Sequence, residues 1–180
     1  MSNGNEHVST ASPPALFTKM SGGAPIPARA PWRQIGIAWM GGFLAMSVVA
    51  YIATASHFPL ILGSFGATCV LAFGFPDSPF SQPRNIIAGH FLSSLVGLCF
   101  LTLFGHEWWS IALAVGTAIA LMQITRTVHP PAGSNPVIVM LLLPGWEFLL
   151  TPTLIGAFLL TLVAIIFNNI PKDRSYPKYW

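Results

Sequence analysis

The chain has 180 residues, of which 53% are hydrophobic and only 7% charged, against about 25% charged in an average soluble domain. That composition excludes an ordinary soluble fold and points to an integral membrane protein. The net charge of +3 gathers mainly at the two ends, so it speaks about topology, and no nucleic-acid partner is expected.

Residues 1–31 are rich in Ser, Pro, Ala and Gly without a sustained apolar run, the composition of a flexible tail. The tail lacks the apolar core of a secretory signal; few acids leave an organellar targeting role open, although Lys19 and Arg29 are its only basic residues. A membrane domain over 32–170 follows, and then a basic tail over 171–180. Within the domain, Ile35 to Ala55 is long enough to cross as a helix. Leu60 to Phe75 is shorter and carries Gly63, Ser64, Gly66 and Thr68. Asn85 to Phe104 and Trp108 to Thr125 are long, Val137 to Leu143 is short, and Phe148 to Phe167 is long. Trp32, Trp108, Trp109 and Trp146 fall at predicted ends, where interfacial aromatics belong. Cys69 and Cys99 sit in apolar runs and read as small buried hydrophobes. The five histidines, His7, His57, His90, His106 and His129, lack a second ligand at a familiar spacing, so no metal or cofactor is expected.

The order long, short, long occurs twice. Gly63-Ser64 opens the first short run and Gly133-Ser134 the second; Pro76 and Pro144 close them. Pro83 and Pro152 precede the next long segments, which contain Gly89 and Gly156, at an offset of roughly seventy residues throughout. The fold expected is an all-α membrane protein of two inverted three-segment repeats, each a long helix, a broken half-helix segment and a long helix. With six crossings and an inner N-terminus, the outer connections 56–59, 105–107 and 144–147 contain no Lys or Arg, and every basic residue falls inside. Four crossings would place Arg84 and Arg126 outside. The positive-inside rule favours six, with both termini cytoplasmic, and a bacterial inner membrane is the expected location.

The stretch His129-Pro130-Pro131-Ala132-Gly133-Ser134-Asn135-Pro136 breaks a helix inside apparent membrane, where bare backbone is costly unless protein or a water-filled cavity satisfies it. Asn135-Pro136 reads as an N-cap and first helical residue, so an extended segment should feed a half-helix ending at Leu143, before Pro144-Gly145. Two half-helix N-termini, around Ser64 to Gly66 and around Ser134 to Pro136, should then face each other near the midplane as a site for a small anion. No acidic side chain lies in either short run to attract a cation.

The expected substrate-binding residues are Gly63, Ser64, Thr68, His129, Gly133, Ser134 and Asn135: side-chain donors, a titratable ring, and glycines for close backbone approach. His90, Arg126, Arg84 and Asn85 are assigned to the pathway or to proton coupling. The bland alternatives are that His129 bonds a backbone carbonyl, Arg126 anchors the fourth helix, and Arg84 snorkels to the inner surface. Phe58, Phe65 and Phe73 read as packing, and Ala112, Gly116 and Ala120 as a small-residue face.

At these residues the chain resembles a known family. His129-Pro130-Pro131-Ala132-Gly133 is similar to the signature of the HPP family of integral membrane proteins. Ser78-Pro79-Phe80-Ser81-Gln82-Pro83-Arg84-Asn85, followed by Gly89-His90, resembles that family's second segment. The resemblance implies transport: plant and cyanobacterial members are associated with nitrite movement across chloroplast or cell membranes. The family is usually described with four transmembrane helices. At position 134 it implies a smaller residue such as alanine, so Ser134 is a departure.

Three readings follow. The first is a transporter or channel for a small monovalent anion, nitrite foremost. The second is a non-transporting sensor or docking subunit. The third is an intramembrane hydrolase using Ser134 or Ser64 with His129, which lacks a buried carboxylate to orient the base; no enzyme is expected. The expected partners are a small inorganic anion, the bilayer and further copies of the chain, with a dimer ahead of a trimer.

Overall fold

The computed structural model describes residues 16–172 and 174–180. Half of the expected N-terminal tail, with His7, therefore lies outside the described residues. The chain divides into two compact units, one ending at Ala30 and one covering Pro31–Trp180. In the first, α1 (Leu16–Met20) has no buried residue.

The second unit is all helical among the described residues. Its elements are α2 (Trp32–Ser56), α3 (Ser64–Cys69), α4 (Pro83–Phe104), α5 (Trp108–Ile124), α6 (Asn135–Leu142) and α7 (Ile155–Asn168). A wider π turn, Val70–Gly74, prolongs α3, and irregular helical turns from Trp146 to Leu154 lead into α7. Short 3-10 turns, Pro79–Ser81 and Pro130–Ser134, precede α4 and α6.

Three stretches are long and apolar enough to cross a membrane: Trp32–Ser56, Pro83–Phe104 and Trp146–Asn168. A fourth was expected in α5, which has 17 residues. At ~1.5 Å per residue that is about 25 Å, the lower end of what spans a bilayer. Both short helices are present, although Pro130–Ser134 coils into a 3-10 turn where an extended segment was expected.

Helix ends follow local chemistry. Pro83 opens α4, where its missing N–H costs nothing. Past the last turn of α5, Thr127 N–H donates to the Met122 carbonyl (2.8 Å) and Arg126 N–H to that of Gln123 (3.1 Å). That is a Schellman ending, with Arg126 at φ 57° in the position that favours glycine. Asn135 does not cap α6. Ser134 holds the cap position in helical conformation without a side-chain cap bond, and Asn135 is the first helical residue. Its amide is drawn away by stronger partners described below.

Between helices in lipid, association rests on close packing rather than on the hydrophobic effect. The long helix α2 buries only Gly41, Ala45 and Val49, one stripe at a spacing of four. On α5 the inward stripe is Ser110, Ala114, Ala118 and Met122. The expected small-residue face of Ala112, Gly116 and Ala120 instead looks outward, rotated by two positions from the packed one. Phe65 and Phe73 belong to the apolar core with Leu98, Val139, Leu160 and Ala164, whereas Phe58 is exposed.

Helix α2 packs on α7, and α4 on α5. Helix α4 packs on α6, and α7 on α3; α2 meets α3, and α5 meets α6. Exchanging α2 with α5, α3 with α6 and α4 with α7 carries every one of these pairs into another. One detail obeys the same exchange. A Cβ on Gly89 of α4 would lie 2.7 Å from His129 Cβ and 3.1 Å from the Thr127 carbonyl, in the segment leading to α6. A Cβ on Gly156 of α7 would lie 2.8 Å from the Leu60 carbonyl, in the segment leading to α3.

Candidate functional site

The starts of α3 and α6 meet at the centre of the unit. Ser64, the first residue of α3, donates from Oγ to Asn135 Oδ1, on the first residue of α6, at 2.8 Å. Around this contact lies a buried polar cluster. Thr68, His90, Ser94, His129 and Asn135 are all 0% exposed. Each polar atom in such a place needs a partner, because an unsatisfied one costs ~1–3 kcal/mol.

Every partner is a protein atom. Thr68 Oγ1 lies 2.9 Å from His90 Nε2 and 2.9 Å from His129 Nε2, and 3.2 Å from the carbonyl of Ser64 one turn back. Asn135 Nδ2 reaches His90 Nδ1 (3.1 Å), the His90 carbonyl (3.3 Å) and Ser94 Oγ (2.9 Å). Thr153 Oγ1 donates to Ser94 Oγ at 3.0 Å. His129 Nδ1 lies 2.7 Å from the Phe80 carbonyl. The two imidazole centres are 5.0 Å apart, and Phe65 sets its ring edge-on to His90 at 5.1 Å.

Local sequence explains the assembly. His90, Ser93, Ser94 and Gly97 share one face of α4, at the i, i+3, i+4, i+7 spacing. His129 is extended (φ −133°, ψ 98°) because the following proline disfavours helix. Gly89 lets that extended strand lie against α4, and Ser93 Oγ holds the next turn by donating to the Ala132 carbonyl at 2.6 Å.

Of the residues expected to bind substrate, Ser64, Thr68, His129 and Asn135 converge here, joined by His90 from the expected pathway. Ser134 does not: it is exposed, and its Oγ donates to the Pro131 carbonyl at 2.8 Å, closing its own turn. The pairing of Ser134 with His129 imagined for hydrolysis is therefore not formed, and Ser64 Oγ turns to Asn135 rather than to a histidine. An added Cβ on Gly63 or Gly133 would have nothing within 4 Å, so no other part of the described chain packs against either glycine. Arg84 is exposed and donates to the carbonyls of Arg126 (2.8 Å) and Thr125 (3.0 Å), a cation closing the C-terminal end of α5. Asn85 holds the Val128 carbonyl at 2.9 Å, one residue before His129. Ser94, Thr153 and the Phe80 carbonyl were missed. The α4 spacing could have found Ser94; nothing in the sequence singled out the other two.

The C-terminal segment reaches the same turn. Tyr176 Oη donates to the Ser81 carbonyl (2.6 Å) and Tyr179 Oη to that of Pro79 (3.0 Å). Lys178 N–H donates to Gln82 Oε1 (2.7 Å), and its ammonium pairs with Asp77 at 3.0 Å. Three successive carbonyls, Pro79, Phe80 and Ser81, are thus held by Tyr179, His129 and Tyr176. Burial raises the Tyr176 phenol above its ordinary range, so it stays a neutral donor.

Comparison with known proteins agrees with a membrane assignment. The model of the HPP transmembrane region matches residues 27–177. Two transmembrane proteins of Dictyostelium discoideum are similar. One is 38% identical over 159 residues, covering 82% of this chain and 56% of the relative. The other is 34% identical over 176 residues, covering 91% and 57%. The chain spans a little over half the length of these relatives. No solved structure matches. The matched region, the apolar helices and the two histidine-bearing motifs brought together at one buried cluster place the chain in the HPP family of integral membrane proteins.

Proposed function

We propose that this protein is a membrane carrier for a small monovalent anion, nitrite foremost. The observation that carries the reading is the closed cluster at the junction of two short helices: Ser64, Thr68, His90, His129 and Asn135, all buried and bonded to one another. Opening that junction would free Ser64 Oγ, Asn135 Nδ2 and an imidazole N–H, donors matched to one small anion and carrying no competing carboxylate. The described carboxylates, Asp77, Glu107 and Glu147, are all exposed. A closed centre fits alternating access better than a fixed pore. The matched packing of the two halves supports inverted repeats rocking about this junction, with both termini on the cytoplasmic side of a bacterial inner membrane. A second copy of the chain would dock on the outward face of Ala112, Gly116 and Ala120, which intermolecular cross-linking in membranes tests.

The test is anion flux into liposomes, comparing nitrite, nitrate, formate and chloride. Nitrite uptake should fall about tenfold or more in Asn135→Ala and His129→Ala, each of which strips partners from buried polar atoms, and should persist in Ser134→Ala. The self-satisfied network also favours a second reading, a sensor or docking subunit. Folded protein that moves none of the four anions would establish that one instead.

A further inference from the structure

The hydrogen positions in the cluster can be assigned from acceptors that have no choice. The His90 carbonyl only accepts, so the Asn135 atom facing it is the NH2 group, and the amide orientation follows. His90 Nδ1 faces the same NH2 group and must be unprotonated, which leaves His90 protonated at Nε2, donating to Thr68 Oγ1. The Phe80 carbonyl likewise requires a proton on His129 Nδ1. Neutral His129 then offers a bare Nε2, which accepts the Thr68 hydroxyl proton. The result is a one-way chain: Asn135 to His90 to Thr68 to His129 to the Phe80 carbonyl.

Thr68 has one further contact, the Ser64 carbonyl at 3.2 Å. From this geometry we infer that the cluster holds one exchangeable proton, taken up at His129 Nε2 with the Thr68 hydroxyl as the switch. The incoming proton bonds to the Nε2 lone pair, and the Thr68 hydroxyl turns its own hydrogen from Nε2 to the Ser64 carbonyl. Its two lone pairs then accept from His90 Nε2–H and His129 Nε2–H, and every contact remains a donor facing an acceptor. No heavy atom has to move. His90 offers no such place. A proton on its Nδ1 would face the Asn135 NH2 group, and flipping that amide would set its oxygen against the His90 carbonyl, an acceptor facing an acceptor, and make the Ser64 and Ser94 hydroxyls reverse.

The charge so created is uncompensated by protein. Helix α3 brings only Cys69 beside Thr68, and α6 brings no titratable side chain. Helix α4 brings His90 and, nearer its start, Arg84, which is engaged with carbonyls at the end of α5. The segment before His129 brings Arg126, exposed, and the Pro79–Ser81 turn brings none. Helix α5 carries no charged side chain, and neither do Thr153 and its neighbours through α7. One bound proton makes the centre a cation, and one bound anion makes it neutral again. On the carrier reading proposed above, on which this extension rests, the anion therefore travels with one proton, as the undissociated acid in net terms.

The test has two arms. In lipid nanodiscs, ¹⁵N NMR of histidine-labelled protein reads the ring tautomers, assigned with His90→Gln and His129→Gln. The expected spectrum has His90 as the Nε2–H form and His129 as the Nδ1–H form. On acidification from about pH 8 to about pH 4, spanning the range in which histidines titrate, His129 should become doubly protonated before His90. The same tautomer on both rings, His90 protonating first, or neither ring titrating would overturn the inference. In liposomes, internal pH is followed during nitrite uptake. Thr68→Val should cut proton uptake per anion about tenfold or more, a charged hydrogen bond being lost, and Thr68→Ser should restore it. Nitrite entry without protons would overturn the inference and leave the carrier standing. Titration of His129 as described with no anion movement would support the proton site and sink the carrier.

Discussion

Gly89→Ala is the most direct probe of how the site is built. The new Cβ would stand 2.7 Å from His129 Cβ and 3.1 Å from the Thr127 carbonyl oxygen. Carbon atoms in contact rest ~3.5–4.0 Å apart, so the His129 segment and α4 must separate by about 1 Å. Neither obstacle is a flexible tip: one is backbone and the other the root of a side chain. His129 is fixed at both ring nitrogens, 2.9 Å from Thr68 and 2.7 Å from the Phe80 carbonyl. A displacement of that size takes at least one of these bonds beyond hydrogen-bond range. Overpacking and a broken buried bond together cost about 2–5 kcal/mol. The assay is thermal unfolding in detergent or nanodiscs, with Gly36→Ala as control. Gly36 is also helical, but nothing lies within 4 Å of its added Cβ; its substitution should leave stability unchanged or improve it by up to ~1 kcal/mol. Unchanged unfolding of Gly89→Ala would refute the claim that close approach of α4 positions His129.

Four further outcomes are expected. Arg126→Gly relieves a left-handed backbone at φ 57° and should stabilise by up to ~1–2 kcal/mol, with anion flux retained; loss of flux would return Arg126 to the pathway. Ser134→Ala should leave flux unchanged and stability within about 1 kcal/mol, because its hydroxyl bonds only the neighbouring Pro131 carbonyl. Tyr176→Phe removes a buried donor from the Ser81 carbonyl and should cost ~1–3 kcal/mol, read as faster proteolysis of the C-terminal segment. The folded Tyr176 phenol titrates above its unfolded value of about 10. The folded state therefore holds the proton longer than the unfolded state, so this contribution is intact below about pH 10 and declines as pH rises beyond it. That alkaline loss should vanish in Tyr176→Phe.

The helices were legible because each is an apolar run punctuated by proline or glycine, which is a local signal. Pro83, Gly105, Pro130 and Pro144 mark boundaries found in the structure within a residue or two. The buried cluster was legible at Ser64, Thr68, His90, His129 and Asn135, polar groups stranded in apolar runs, because lipid makes such residues costly without partners. The partners themselves depend on tertiary placement. Nothing local says that Asn135 forgoes the cap of α6 for Ser64, Ser94 and His90, contacts that lie 41 to 71 residues away along the chain. Ser134 stays outside the cluster for the converse reason. It sits inside the motif, but one residue around the turn from Asn135 is enough to face it outward. Arg126 reads from sequence as a positive charge near a mouth, and the structure adds that its backbone closes α5.

The division of chemistry between the two halves bears on mechanism. The packing scheme exchanges α3 with α6 and α4 with α7, yet with Gly63 set against Gly133 and Gly89 against Gly156, Thr68 corresponds to Ile138, His90 to Ala157 and Ser94 to Thr161. Ala157, Leu160 and Ala164 belong to the apolar core, and Ile138 packs against it. The two halves thus fill their centres differently, with Thr68 and two histidines on one side and apolar residues with Thr161 on the other. On the carrier reading proposed above, an exchange of the two halves would supply the two arrangements that alternating access requires. Asymmetry of the filling means that the proton chain runs one way, ending at the Phe80 carbonyl, in the turn that Tyr176 and Tyr179 also hold. Placing polar residues on the apolar side, as in Leu160→His, should therefore not create a second relay. The new imidazole would stand in the apolar core, with isoleucine and no hydroxyl at position 138 to switch. Its expected effect is destabilisation by several kcal/mol from an unpartnered buried polar group, visible as loss of folded protein in the membrane. A stable Leu160→His variant with added proton flux would show that the relay needs only histidines and not the Thr68 switch.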